Sequence, residues 1–377
     1  SQFYQPFIGP DALNPGLSAL TRMGITDLFE DHRIVGGFRL ALNLNNNDYL
    51  FVYENLKRRI DKRFTFQRQA QQQLIANGAG VVKIVTHNFR YQLSYPFSEL
   101  ASLRLSAVYR NDRYVLQATD RTTLRADNVS DHMVGGKLEY VYDSSMPHGL
   151  NFWTGWKLKW FAEYYQQPDA KKTDMQVVGM DLRHSLKVHR ELIWVSRLAG
   201  SSSFGSRKLI HYLGGVDNWL FSQSQPLDAI PIDFSQNYFY QTMGVPMRGF
   251  FYNSRNGSSF AVLNTEFRVP ILRYLLNRPI RSDFLNHLQL TTFADVGAAW
   301  TGSDPYSSEN SFNQSTLPNN NPLTITLNNT REPIIAGYGF GVRTRLLGYF
   351  VRADWAWGVD DGIVLPRVFY FSLNLDI

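Results

Sequence analysis

The chain of 377 residues contains no cysteine, which excludes a disulfide scaffold, a thiolate-bound zinc or iron–sulfur site and thiol-based nucleophilic catalysis. It lacks any apolar run near the roughly 18 residues that a membrane-spanning helix needs. Helical periodicity is almost missing, and the best candidate, Ile271 to Leu276 after Pro270, is too short to stand alone. The eight histidines fall singly, without HExxH or His-x-His spacing, so no metal site is expected. There is no GxSxG elbow and no Walker loop. Gly337, Gly339 and Gly341 recur at period two inside a strand pattern, which points to a bend or a close approach from inside and not to a dinucleotide. Charge is scarce at 19%, and the net +6 is spread along the chain, so no nucleic-acid partner is expected. No residues point to an enzyme, and no cofactor is implied.

What the chain has in quantity is aromatic side chains, 14% of residues, and alternation with period two. Ala101, Leu103, Leu105, Ala107 and Tyr109 alternate with Ser102, Arg104, Ser106, Val108 and Arg110. Trp156, Leu158, Trp160, Ala162 and Tyr164 lie opposite Lys157, Lys159 and Glu163. Burying such lysines in an apolar core would cost several kcal/mol each, so the second face must be wet. Phe369, Phe371, Leu373, Leu375 and Ile377 alternate in turn with Tyr370, Ser372, Asn374 and Asp376.

Reading every such run gives about sixteen strands, among them 101–111, 113–124 and 285–300, longer than those of soluble sheets and suited to a tilted membrane crossing. Turns such as Glu30–His32, Phe97–Leu100 and His189–Glu191 are short, whereas 205–256, 301–333 and 359–366 are long, the rim asymmetry of a membrane barrel. The Asn319–Asn321 run reads as exposed loop. Residues 16–377 are therefore expected to form one all-β domain, a transmembrane antiparallel β-barrel, with 1–15 as a periplasmic lead-in. Only alternate side chains of such a barrel meet lipid, so the mean hydropathy of -0.27 averages a lipid face and a water face. A large soluble β-sandwich is the competing reading. Charges on the second face argue against it, as do Trp153, Trp300, Trp355, Trp357 and Tyr349 near strand ends, where an interfacial girdle would lie.

One constellation stands out. Val262, Asn264, Glu266 and Arg268 point away from Ala261, Leu263, Phe267 and Val269; Gln289, Thr291, Phe293 and Asp295 likewise point away from Leu288, Leu290, Ala294 and Val296. Glu266 and Asp295 thus face one lumen from adjacent strands. The long segment before them carries Met247-Arg248-Gly249-Phe250.

Arg248-Gly249-Phe250 in the longest loop, followed by Phe293-Ala294-Asp295-Val296-Gly297, resembles the signature of the Omp85 superfamily of outer-membrane assembly and secretion barrels. The resemblance covers the chain as a whole barrel. It implies that loop six, about 205–256, folds into the lumen and that Arg248 pairs there with Asp295 and Glu266. Gly249 would give the tight turn with Phe250 packed beside it, and Gly297 would complete this lumen clamp. The resemblance further implies a non-enzymatic protein of the Gram-negative outer membrane that inserts, assembles or translocates other polypeptides. Its partners would be outer-membrane lipids and lipopolysaccharide, with client polypeptides or accessory envelope proteins. The first and last strands would meet at a weak seam, Gly16–Leu28 against Arg367–Ile377, carrying Ile25, Leu28, Phe369, Phe371 and Leu373; opening it would offer an unpaired edge to incoming strands. Gln5-Pro6-Phe7-Ile8-Gly9-Pro10, with Asp31-His32 and Tyr53-Glu54-Asn55-Leu56, resembles Bacteroidetes-type proteins in which such a barrel follows a propeller-like periplasmic region. The sequence departs from the family in carrying no POTRA domains and in ending on Ile377 and not an aromatic residue. A barrel that merely anchors a periplasmic domain or accessory complex is the alternative reading.

Overall fold

The computed structural model describes residues 4–7, 9, 18–41, 47–74, 81–117, 127–168, 173–220, 230, 232–233, 236–276, 280–310, 312–317, 325–328, 331–346 and 348–373. Among the described residues fifteen long strands make its wall: Ser18–Thr26, His32–Ala41, Asn47–Asn55, Asp61–Leu74, Val81–Pro96, Ala101–Gln117, Val129–Asp143, Phe152–Gln166, Asp174–His189, Leu192–Phe204, Ser259–Val269, Gln289–Trp300, Ile335–Leu346, Tyr349–Asp360 and Val368–Leu373, with the short Met146–Gly149 and Ile363–Val364 pairing at the rims on Phe152–Gln166 and Tyr349–Asp360. Each pairs antiparallel with the next. Among the described residues no pairing joins the first strand to the fifteenth, so the wall as described has two edges. Antiparallel steps alternate direction, and an odd strand count leaves these two edges running the same way.

The period-two pattern sets the faces. Leu105 is 54% exposed and its neighbour Ser106 2%; the same alternation runs through the eleventh strand, where Leu263 and Phe267 are exposed and Asn264, Glu266 and Arg268 buried. Outward aromatics stack along the wall, as in Phe340 with Trp355 and Tyr338 with Trp357. Inward charges pair instead: Lys137 bridges Glu139 and Glu163, and Asp181 holds both Arg183 and Arg197. No described helix is long and apolar enough to cross a membrane.

Two expectations change. The sequence reading separates 101–111 from 113–124, giving about sixteen strands, but Ala101–Gln117 is one continuous strand. Asn111-Asp112 makes no turn because Asp112 is an inward side chain, wholly buried, that accepts from Arg110, Thr86 and Tyr240. The twelfth strand begins at Gln289, not 285, because Asp283–Asn286 forms a helical turn capped by Ser282, whose hydroxyl accepts from the Leu285 amide. The other short helix, Ile271–Leu275, lies where the sequence placed it. The Asn319–Asn321 run lies outside the described residues.

The lumen is filled by the segment between the tenth and eleventh strands. Its strands Lys208–Leu213, Tyr238–Met243 and Arg255–Gly257 form a small sheet, to which Gln5–Pro6 adds an edge. Leu209, Phe239 and Tyr240 of this plug pack on Val108, Met133, Tyr165 and Val177 of the inner wall. Leu213, Val245, Met247 and Phe250 pack on Phe260, Val262 and Ile335. Interdigitated apolar side chains thus hold the plug against the wall from the sixth strand onward.

Candidate functional site

Arg248 lies at the centre of the plug–wall contact and is 3% exposed. Its backbone N–H and Nε donate to Asp295 Oδ2 at 3.1 and 2.8 Å, and Nη2 donates to Oδ1 at 2.8 Å. Nη1 reaches Glu266 Oε2 at 2.5 Å, and the other Glu266 oxygen accepts from Arg268 Nε at 2.7 Å. Arg268 Nη1 donates onward to the Asn151 carbonyl. The guanidinium also sits 3.7 Å from the Phe293 ring centroid. Two cations and two anions are therefore balanced in a site closed to water, the condition under which buried charge is tolerated. The fork geometry fixes the position of the Arg248 backbone as well as its charge.

The backbone around Arg248 needs equal accommodation. Gly249 has φ +95°, and a Cβ there would meet the Gly358 amide nitrogen at 2.6 Å. Gly337 and Gly358 are direct partners on the thirteenth and fourteenth strands. A Cβ on Gly337 would meet the Arg248 carbonyl oxygen, and one on Gly358 would meet the Phe250 ring at 2.9 Å. This pair opens a slot in the wall for the Arg-Gly-Phe backbone. Phe250, 2% exposed, fills the space beside it. Gly297 faces Val262 across the strand pair, where a Cβ would come within 2.8 Å of a Val262 methyl.

Tyr370 links this site to the last strand. Its hydroxyl accepts from the Gly249 amide at 2.9 Å and donates to the Phe250 carbonyl at 2.7 Å. Sequence reasoning missed Tyr370, although its inward parity beside Phe369 and Phe371 was a signal. It also placed Arg268 in the lumen without joining it to the clamp. The seam residues lie as follows: Ile25 and Leu28 are 76% and 99% exposed, and Phe369, Phe371 and Leu373 take the outward face of the last strand. Every residue from 21 to 30 is exposed, so the first strand packs neither face against the plug from Thr21 onward.

A second tie lies across the lumen. Arg110 makes a bidentate pair with Asp112, donates to the Tyr4 carbonyl at 2.5 Å and stacks 4.0 Å from the Tyr240 ring centroid. Tyr240 donates to the same carboxylate at 3.0 Å. This holds Tyr4 and the Gln5–Pro6 strand against the plug. A cavity of about 460 Å3, bordered by Lys159, Asp181, Arg183, Arg197 and Asp217, remains between plug and wall.

A membrane-type β-barrel with one long loop folded inside and clamped to its wall is the class that this geometry defines. No protein-family model matches the chain, and no curated protein matches it in sequence. Solved structures do. BamA from Haemophilus ducreyi lacking POTRA domains 1–3 aligns over 96% of this chain and 68% of its own, with TM-score 0.61 at 10% identity. CdiB from Acinetobacter baumannii aligns over 95% of this chain and 56% of its own, with TM-score 0.53 at 14% identity. The chain thus spans about two thirds of the first and just over half of the second. What they share with this chain is the fold, that of the outer-membrane β-barrel.

Proposed function

We propose that this chain is an Omp85-type barrel of the Gram-negative outer membrane that assists the insertion, assembly or translocation of other polypeptides, without covalent chemistry. The observation that carries the reading is that, among the described residues, the edges Ser18–Thr26 and Val368–Leu373 are not joined, in a wall otherwise paired from strand to strand. An unpaired strand edge is a template for an incoming strand. The Arg248 clamp would keep the plug, and through Tyr370 the last strand, in a fixed position while the seam works. BamA and CdiB, which share the fold, support a polypeptide-handling role, with client polypeptides as partners; outer-membrane lipid and lipopolysaccharide would surround the wall in this reading.

The test is site-specific crosslinking. A photoreactive residue at Met23 or Phe369, on the two edge strands, should capture an unfolded outer-membrane barrel protein added to vesicles that contain this chain. The same residue at Leu105, in mid-wall, should not. Equal capture at all three positions would remove the seam from the account, and capture at none would favour an anchoring barrel.

A further inference from the structure

The free edge of the last strand is not bare. Trp219, in the long loop, forms an isolated antiparallel bridge with Ser372, and the Leu220 amide donates to the Phe371 carbonyl at 2.9 Å. Successive residues of an antiparallel strand direct their backbone groups to opposite neighbours. The Phe371 carbonyl therefore points away from the fourteenth strand, toward the seam. The loop segment is anchored: Trp219 is 3% exposed and packs 4.7 Å from the Tyr370 ring and 5.6 Å from Tyr252. Ser372 is fully buried beneath it, and its hydroxyl has no partner among the described residues.

We infer that Asn218–Leu220 is a built-in stopper on a strand-docking edge, standing where an extended segment of another polypeptide binds. The occupant's direction follows from the topology. The stopper runs antiparallel to the last strand, whereas the first strand runs parallel to it, so the first strand would not continue the antiparallel ladder. One added strand antiparallel to both edges would. A single bridge is a weak holder, since one backbone hydrogen bond contributes only about 1 kcal/mol net. A longer strand that pairs along Val368–Leu373 displaces it. This rests on the seam reading proposed above and adds a regulator to it: the edge opens only to a partner that outcompetes the loop.

The test uses the full chain in detergent and a labelled peptide that copies Tyr349–Asp360, the segment that already pairs antiparallel with the last strand. Leu220→Pro removes the N–H that reaches Phe371 and should bind the peptide about fivefold more tightly than the parent chain, the equivalent of one lost bond. Because the chain has no cysteine, the pair Trp219→Cys and Ser372→Cys forms a single disulfide. Oxidised, that variant should lose peptide binding; reduced, it should bind at least as well as the parent. Equal affinity in parent, Leu220→Pro and oxidised protein overturns the stopper, as does peptide crosslinked to the first strand alone. If Leu220→Pro does not fold, the oxidised and reduced pair decides the matter. If Leu220→Pro binds peptide more tightly yet no client protein is captured at the seam, the stopper stands and the proposed function falls.

Discussion

The sharpest perturbation is Arg248→Met, which keeps most of the side-chain volume and removes the charge. Asp295, wholly buried, would lose two of the three hydrogen bonds that Arg248 gives it, keeping only the backbone N–H at 3.1 Å. Glu266 would keep Arg268 at 2.7 Å. Removing one partner of a buried ion pair costs about 3 to 5 kcal/mol. The opening equilibrium of the plug should therefore rise by roughly two to nearly four powers of ten. Native-state hydrogen exchange reads this directly: amides of Tyr238–Met243 should exchange faster by that factor, while those of Val81–Pro96, in the wall away from the clamp, should not change. Asp295→Asn should approach the same effect, and Glu266→Gln should fall short of it because Arg248 gives that carboxylate only one bond. The double variant Arg248→Met with Asp295→Leu should cost less than the two single changes together, with a coupling of about 2 to 3 kcal/mol. Strict additivity, or equal acceleration of the wall amides, would refute the clamp as the plug's main tether.

Other outcomes follow from the same geometry. Tyr370→Phe leaves the Gly249 amide without its buried acceptor, while the Phe250 carbonyl keeps the Gly215 amide at 2.9 Å, and should lower plug stability by about 1 to 3 kcal/mol in the same exchange experiment. Gly337→Ala places a methyl against the Arg248 carbonyl and should leave the long loop open to protease, whereas Gly36→Ala, with nothing within 4 Å, should leave it protected. His211 is 2% exposed in the plug sheet, and burial holds its imidazole neutral, down to about 4. The unfolded segment takes up a proton below about pH 6.5, while the folded one refuses it until about pH 4. Plug stability should thus be flat above pH 6.5 and fall by up to about 3 kcal/mol as the pH drops to 4; a His211→Phe variant that keeps the full acid dependence would contradict this.

Strand parity made much of the site legible. Because side chains alternate strictly, the inward direction of Glu266, Arg268 and Asp295 could be read from their apolar neighbours alone, and so could a wet lumen behind Lys157 and Lys159. Loop paths have no such period. Nothing local announces that Tyr370 reaches Gly249 from 121 positions away, or that Arg110 accommodates Tyr4 from 106. The slot for the Arg-Gly-Phe backbone was half visible: the period-two glycines at 337, 339 and 341 signalled a close approach, but Gly358, the partner that completes the slot, lies on the next strand in a context that looks unremarkable. The break expected between 111 and 113 misled in the opposite direction, since Asp112 serves an ion pair in mid-strand.

The central claim, that this wall handles other polypeptides at its seam, is tested most directly by insertion kinetics. An unfolded outer-membrane barrel protein is mixed with vesicles that contain this chain, vesicles that contain an unrelated closed barrel, and bare vesicles, and its folding is followed by gel mobility. The account predicts folding faster by about tenfold or more with this chain, about 1.4 kcal/mol off the barrier, and loss of that gain when Trp219→Cys and Ser372→Cys are oxidised. Equal rates in all three kinds of vesicle would contradict it.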